Sequence, residues 1–172
     1  AVKLGVSEKD IDLDILLQLK KLFDACPDNI GVYYTRTTDT NPTLDQRVQL
    51  ANKADADIFI SIHNNSSATG NFTQTSGTQV MYSESDDSEL SSKKLAKICL
   101  NAVSKSFDSY NRGLLEGDSI YIIRTSKVPV ALIEVGFMTN YDELDKLKSP
   151  KYQKKAAQGI YNAIMEAFEE GY

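Results

Sequence analysis

Two apolar runs place the strongest constraint on how this chain can fold. The run "DIFISIH" covers residues 57–63 and "VPVALIEV" covers residues 128–135, and both are apolar at nearly consecutive positions. A strand with one face in water alternates apolar and polar side chains, whereas a strand buried on both faces is apolar throughout. The two runs therefore predict inner strands of a sheet that is covered by other elements on both faces.

Four segments between and around these runs have the spacing of amphipathic helices. Residues 8–24 place apolar side chains three and four positions apart, and Ser7 with Asp10 is spaced like a capping pair. Thr43 and Gln46 resemble a second capping box. The other predicted helices cover residues 43–54, 88–107 and 151–168.

Three further runs are rich in residues that favour strands. They are "GVYYTR" (31–36), "TQVMYS" (78–83) and "SIYIIR" (119–124). Strands that alternate with helices are typical of an α/β protein. The sequence therefore predicts a single domain over residues 1–172, with a mostly parallel twisted sheet and helices on both faces. A long polar stretch, residues 64–77, predicts a loop that binds a ligand or is disordered.

Composition excludes several classes of function. With 172 residues and 41% hydrophobic content, the chain has enough apolar side chains for one substantial core. The net charge is -5, the pI is near 4.9 and the lysines are interleaved with acids, so we expect no nucleic-acid partner. No apolar run approaches the roughly 20 residues of a membrane span, so we expect no membrane insertion. We expect a monomer.

Cys26 and Cys99 are too few for a disulfide framework and lack metal-ligand spacing, so we expect two small core residues.

Two ionisable residues stand where buried strands end. His63, the single histidine of the chain, closes the first apolar run, and Glu134 follows "VPVALI". Ligands of open α/β sheets bind beyond the carboxyl ends of strands. A carboxylate flanked by core residues needs a partner or a proton, because an isolated buried charge is costly. Both residues are therefore candidates for an active site.

Each candidate also has a structural interpretation. His63 at a strand end is compatible with a purely hydrogen-bonded role. Glu8 lies in the first turn of a predicted helix, where a carboxylate normally complements the helix dipole. Glu134 has the alternative of an ion pair with an arginine, for which Arg36, Arg47 and Arg124 are available. Taken together, one imidazole with carboxylates suits a Zn²⁺ ion that keeps an open position for water.

Several blocks along the chain resemble one known family. They are "SEKDIDLDI", "VYYTRTTDT", "TLDQRVQLANKADADIFISIHNN", "NRGLL" and "SIYIIRTSKVPVALIEVGFMTNYDE", followed by the closing helix. In this order they resemble the zinc-dependent N-acetylmuramoyl-L-alanine amidases of bacterial cell walls, the family called amidase type 3. The resemblance covers nearly the whole chain and implies the same α/β fold.

The resemblance also implies roles for individual residues. It implies that Glu8 and His63 are zinc ligands and that Glu134 is the catalytic carboxylate. The implied substrate is peptidoglycan, cut at the amide between N-acetylmuramic acid and the L-alanine of the stem peptide. Asn65 and Arg112 lie in blocks near the implied crevice and are candidates for substrate contacts, with loop capping and a surface ion pair as their alternatives. The implied location is outside the cell, in the bacterial wall, or in a phage lysin.

The start of the chain departs from the family pattern. In the family, a first strand ends in a Gly-His-Gly-Gly turn whose histidine is a third protein ligand, and "AVKLGVSEKD" resembles the sequence just after that turn. We therefore expect this chain to be N-terminally incomplete relative to the family and, as it stands, a weak zinc binder and a poor hydrolase. The alternatives are a fragment without that strand, a zinc-free peptidoglycan-binding domain with the amidase fold, and a zinc peptidase that cuts another amide of the wall.

Overall fold

The fold follows the predicted alternation of helices and strands in most of the chain. The computed structural model describes residues 1–172. Helix α1 covers Glu8–Asp24, as predicted, and α6, predicted over 151–168, covers Pro150–Glu169. The remaining elements are β1 (Val2–Lys3), β2 (Val6–Ser7), α2 (Leu44–Lys53), β3 (Phe59–Asn65), β4 (Thr78–Tyr82), α3 (Ser92–Phe107), β5 (Asn111–Glu116), α4 (Tyr121–Thr125), β6 (Val130–Phe137) and α5 (Tyr141–Lys148).

Four strands form the main sheet in the order β3-β6-β4-β5. β3 runs parallel to β6, β4 runs parallel to β5, and β4 and β6 are antiparallel. The predicted mostly parallel α/β sheet is therefore confirmed as a mixed, mainly parallel one. The two short strands β1 and β2 form a separate hairpin directly before α1.

Helices cover both faces of the sheet, because the strands carry apolar side chains on both of these faces. Along β6, Ala131, Ile133 and Val135 point into the larger core, which also contains side chains of α1, α3, α5 and α6. Val130 and Leu132 point into a smaller core formed with α2 and α4. The strand is thus buried from both sides, as its uninterrupted apolar sequence predicts. No helix of the protein has the length and hydropathy that a membrane crossing requires.

Two predicted strands are wrong. "SIYIIR" forms a turn and the short helix α4, whose Ile122 and Ile123 enter the smaller core. The run "GVYYTR" has no strand structure. β propensity describes side chains that suit a pleated surface, and a strand forms only where a neighbour supplies the ladder. Residues 31–36 have no such neighbour in the sheet.

A cavity of about 970 Å³ separates this segment from the sheet. β3 pairs only with β6, so its other edge is free along the cavity. Apolar side chains of α1 and β3 line the cavity, among them Leu16, Leu19 and Ile60, and so does Tyr34, whose hydroxyl is buried without a hydrogen-bond partner. The outer edge of β3 therefore has no strand partner, and the first part of the strand presents apolar side chains to the cavity.

Local capping chemistry is partly as predicted. Thr43 and Gln46 form the full capping box at the start of α2. Ser7 is the residue before α1, but its side chain makes no capping hydrogen bond, so the predicted pair with Asp10 is wrong. Cys99 is fully buried and Cys26 is half-buried; both are free thiols, and only Cys99 is a core residue.

Candidate metal centre

The first turn of α1 and the end of β3 bring three ligand-type side chains together. Glu8 and Asp12 are four residues apart on α1 and therefore lie on one face of the helix. His63 is the fifth residue of β3. Ligand atoms of these three residues all lie within 4.8 Å of one another. The sheet edge and the helix start thus form a compact cluster of one imidazole and two carboxylates.

Hydrogen bonds fix the arrangement of the cluster. His63 Nδ1 lies 3.3 Å from Glu8 Oε1, and His63 Nε2 lies 3.0 Å from Ser61 Oγ. The side-chain amide of Asn64 donates to Asp12 Oδ1 at 2.7 Å. The amino group of Ala1 donates to Glu8 Oε2 at 2.7 Å. The contacts of Glu8 with His63 and of Asp12 with Asn64 join α1 to β3 and hold the helix start beside the strand end.

The charges in the cluster shift each other's ionisation. Burial favours the neutral form of Glu8, but the hydrogen bond and the positive charge of His63 favour the carboxylate, and the pKa of Glu8 lies below its ordinary value. Burial favours neutral His63, but the bond to Glu8 and the charges of Asp12, Glu134 and Glu8 raise its pKa above the ordinary value. Glu8 is therefore ionised at neutral pH.

Glu134 lies beside the cluster. In the parallel ladder of β3 and β6 its Cα atom is paired with that of His63. Glu134 Oε2 is buried without a hydrogen-bond partner. Burial and the negative charge of Glu8 raise the pKa of Glu134 to about 7, with an opposing effect from His63. The predicted alternative of an ion pair with an arginine is wrong, because no arginine of the chain lies within ion-pair distance of a carboxylate.

Asp12 was not among the residues predicted from the sequence. Burial, together with the charges of Glu8 and Glu134, raises its pKa to about 7, although His63 and the hydrogen bond from Asn64 oppose the shift. Its spacing from Glu8 is the signal that identifies it, since residues four apart on a helix meet side by side. If Glu8 only complemented the helix dipole, there would be no reason for a second carboxylate beside it.

The chemistry of the donor set fits a zinc ion. Zn²⁺ binds imidazole nitrogen and carboxylate oxygen, and catalytic sites use three protein ligands with one open position. Glu8, Asp12 and His63 supply these donor types. Glu134 lies on the same face of the sheet as His63, and its Oε2 oxygen is buried without a partner.

The two predicted substrate residues lie in different places. Asn65 is the last residue of β3, and its Oδ1 accepts a hydrogen bond from the Ser66 amide. Arg112 is exposed on β5, with its guanidinium 5.3 Å from the centre of the Phe137 ring. Asn65 is thus two residues from His63, whereas Arg112 is separated from β3 by β4 and β6.

The long polar stretch is an ordered loop, residues 66–77, attached to the end of β6. The Ser67 amide donates to Thr139 Oγ1 at 2.9 Å, and the Thr73 amide donates to the Thr139 carbonyl at 2.8 Å. The Phe72 ring stacks on the Tyr141 ring with centroids 3.9 Å apart. These contacts hold the loop against the ends of β3 and β6.

Comparison with known proteins places this geometry in a family. Residues 1–166 match the family model described as N-acetylmuramoyl-L-alanine amidase. The chain belongs to this family. Its members are zinc-dependent hydrolases of the peptidoglycan cell wall, so the resemblance drawn from the sequence is confirmed.

Individual relatives support the same assignment. The chain is 36% identical to the uncharacterized protein YqiI of Bacillus subtilis, over 99% of this chain and 79% of the relative. It is 30% identical to the N-acetylmuramoyl-L-alanine amidase LytC of B. subtilis, over 98% of this chain but only 32% of LytC. The family domain is therefore about a third of that longer protein.

Solved structures confirm the fold. The N-acetylmuramoyl-L-alanine amidase of Clostridium difficile 630 superposes with a TM-score of 0.89 at 30% identity, covering 98% of this chain and 88% of that chain. The catalytic domain of CwlV from Bacillus (Paenibacillus) polymyxa superposes with a TM-score of 0.84 at 31% identity, covering 94% and 85% of the two chains. The order of helices and strands is thus that of the amidase fold.

Proposed function

We propose that residues 1–172 form a catalytic domain that hydrolyses the amide between N-acetylmuramic acid and L-alanine in peptidoglycan, with Zn²⁺ as cofactor. The observation that carries the proposal is the position of Glu134, whose Oε2 oxygen is buried without a hydrogen-bond partner and whose Cα atom is paired with that of His63. The relatives are named for this reaction. Peptidoglycan also implies that the domain acts outside the membrane, in the wall, or as part of a phage lysin.

We assign the metal to Glu8 and His63, with Asp12 as the third donor that this chain supplies. When bound, Zn²⁺ supplies Lewis acidity for the scissile carbonyl and lowers the pKa of a bound water toward about 7. Glu8 is ionised at neutral pH and holds a full negative charge toward the ion. The bond between His63 Nε2 and Ser61 Oγ orients the imidazole ring, as neighbours of metal ligands do.

Glu134 acts as the proton carrier. Its carboxylate accepts the proton of the attacking water and donates a proton to the leaving amine of L-alanine. A general base works best with a pKa close to the working pH, and burial brings the pKa of Glu134 to about 7. We propose that Asn65 and Arg112 contact substrate from the ends of β3 and β5.

The first test is zinc content by elemental analysis of the purified protein, with His63→Ala and Glu8→Ala beside it. Because Asp12 adds a third donor to the two ligands expected from the sequence, we now expect zinc in the parent protein and its loss in both variants. Lys20→Ala, on the exposed side of α1, is the matched control and should keep zinc. Zinc that persists in both ligand variants would remove these residues from the metal site.

The second test is the reaction itself. Purified peptidoglycan is incubated with the zinc-loaded protein, and new amino termini are identified by labelling and mass spectrometry. We expect free L-alanine amino groups. New termini at another amide would show a peptidase of a different specificity. No new termini, with the protein still sedimenting with peptidoglycan, would support the alternative function of a binding domain.

The donor set of the cluster suggests a third test. His63 is the only imidazole of the chain, so two of the three donors are carboxylates. The free edge of β3 and the adjoining cavity offer a place for one more strand. A variant extended before Ala1 by a strand that ends in Gly-His-Gly-Gly should bind zinc more tightly than the parent. Equal affinities would show that the third donor is already supplied by Asp12.

A further inference from the structure

Two arginines beside the metal centre have no carboxylate partner. Arg36 donates from Nη2 to the Lys9 carbonyl at 2.5 Å, and Arg47 donates from Nε to the Pro42 carbonyl at 3.1 Å. Neither guanidinium makes another hydrogen bond or an ion pair. An arginine side chain has five N–H donors in a flat fork, so each of these two groups keeps most of its donors free.

The two positive charges lie close to each other and to the cluster. Both side chains are half-buried and line the cavity that Glu8 and His63 also line. Arg36 contacts the backbone of Lys9, the residue after Glu8. Burial and the charge of Arg36 lower the pKa of Arg47, with an opposing effect from the charge of Asp12. Like charges held together repel, and their repulsion increases as water is excluded.

The carboxylates nearest to the pair are already engaged. Both oxygens of Asp39 accept hydrogen bonds from Lys9 at 2.8 Å. Asp12 accepts from Asn64 and belongs to the metal cluster. The protein therefore places two cations at the wall of an open cavity, and no carboxylate of the chain forms an ion pair with either of them. Asp39 and Asp12 attract them only from beyond ion-pair distance.

We propose that Arg36 and Arg47 form a binding site for a carboxylate of the substrate. A guanidinium fork matches the two oxygens of a carboxylate, and two forks can bind it from two sides. Given the proposed function, the carboxylate belongs to the stem peptide, on the residue after L-alanine. An extended chain advances about 3.3–3.6 Å per residue, so such a group lies within one or two residue lengths of the cleaved amide. The identity of the ligand rests on the proposed function, whereas the binding of a carboxylate does not.

The test uses peptide binding, which requires no turnover. The dipeptide L-alanyl-D-glutamate and its diamide, in which both carboxylates are replaced by amides, are titrated into the zinc-loaded protein by calorimetry. We expect the dipeptide to bind at least about tenfold more tightly than the diamide, because hydrogen bonds between two charged groups are roughly twice as strong as those between neutral ones. Arg36→Gln and Arg47→Gln should each remove most of this preference.

Control variants separate the site from general charge and from misfolding. Arg124→Gln removes one positive charge elsewhere, from a side chain that donates to backbone carbonyls of Asp118 and Ser119, and should keep the preference. Arg36→Lys keeps the charge but loses the fork, so it should recover only part of the preference. Thermal unfolding of each variant shows whether it is folded, and a variant that unfolds is replaced by its lysine counterpart.

The outcomes are distinct from those of the function tests. Equal affinity for dipeptide and diamide in the parent protein would overturn the proposal, even if the protein is an amidase. A preference that persists in both glutamine variants would also overturn it. Preference for the dipeptide that depends on both arginines, in a protein that does not cut peptidoglycan, would support the carboxylate site and reject the proposed reaction.

Discussion

His63 and Glu134 are direct neighbours in the parallel ladder between β3 and β6. Paired residues of adjacent strands point to the same face of the sheet, so the imidazole and the carboxylate share one surface. A shift of one residue in the pairing would turn one of them toward the opposite core. The apolar positions on either side, such as Ile62 and Ile133, prevent that shift because they are packed in the larger core. Core packing thus sets the relative position of the two candidate site residues.

Replacing Glu134 with glutamine tests the proton carrier. Glutamine keeps the shape but cannot accept a proton, so we expect hydrolysis of peptidoglycan to fall by at least about 10²-fold. Zinc content should stay the same, because Glu134 is not among the proposed ligands. The exposed residue Glu166 offers a control, Glu166→Gln, with unchanged activity. Full activity of Glu134→Gln would exclude it as the general base.

The same substitution should change how stability depends on pH. Burial raises the pKa of Glu134 from 4.5 to about 7. A carboxyl group with a higher pKa in the folded state contributes stability below pH 4.5, and this contribution is lost as pH rises through about 7. The free energy of unfolding of both proteins is compared at pH 4 and pH 8 with chelator present. The parent should lose about 1–3 kcal/mol more than Glu134→Gln over this range. Urea unfolding at each pH measures this, and parallel curves would contradict the assigned cause.

Asp12 links the helix that carries Glu8 to the strand that carries His63. Asp12→Asn keeps the size of the side chain, but it removes a metal donor and the charged acceptor for the Asn64 amide. We expect zinc affinity to fall by about 10–100-fold, the range seen when a supporting or ligating group is altered. Competition with a chromophoric chelator measures the affinity. Asp14→Asn, on the exposed side of α1, should leave it unchanged, and equal losses in both variants would point to a general effect of charge.

Gly159 is where α6 approaches α3. A Cβ atom at this position would lie 2.9 Å from Val103 Cα and 3.0 Å from the Ala102 carbonyl oxygen, and neither backbone atom can move freely. Gly159→Ala should lower the free energy of unfolding by about 1–3 kcal/mol, the usual cost of overpacking. Gly31→Ala is the matched control, since no atom lies within 4 Å of its Cβ. Urea unfolding should show little change there, and equal effects would contradict close packing at Gly159.

Glu143 joins the polar loop to the end of β6. Its carboxylate accepts from the Gly77 amide at 2.9 Å and from the Phe137 amide at 2.7 Å, and both bonds are buried. Glu143→Gln turns one acceptor into a donor that faces an N–H group, so we expect a loss of about 1–3 kcal/mol. Asp145→Asn changes an exposed carboxylate of the same helix and should cost almost nothing. Limited proteolysis should find faster cleavage in residues 66–77 of Glu143→Gln, and an unchanged rate would contradict the anchoring role.

The sequence predicted the elements whose environment is regular. Helix α1 has its predicted bounds because its apolar side chains repeat at the helical period over 17 residues. The run "VPVALI" predicts a buried strand because successive side chains, which point to opposite faces of a sheet, are all apolar. "SIYIIR" has equally high strand propensity but forms α4, where the smaller core accepts Ile122 and Ile123 from a helix. Propensity alone does not distinguish these outcomes, because packing decides between them.

The sequence by itself determined the family, the α/β class and the presence of His63 and Glu134 at strand ends. Only the tertiary structure decided that these residues are direct ladder partners, that Asp12 completes a cluster with Glu8 and His63, and that Arg36 and Arg47 line one cavity without an ion-pair partner. The physical reason is the range of the forces involved. Periodicity and capping act within a few residues of the chain, whereas a site is formed by side chains from elements that only core packing brings together.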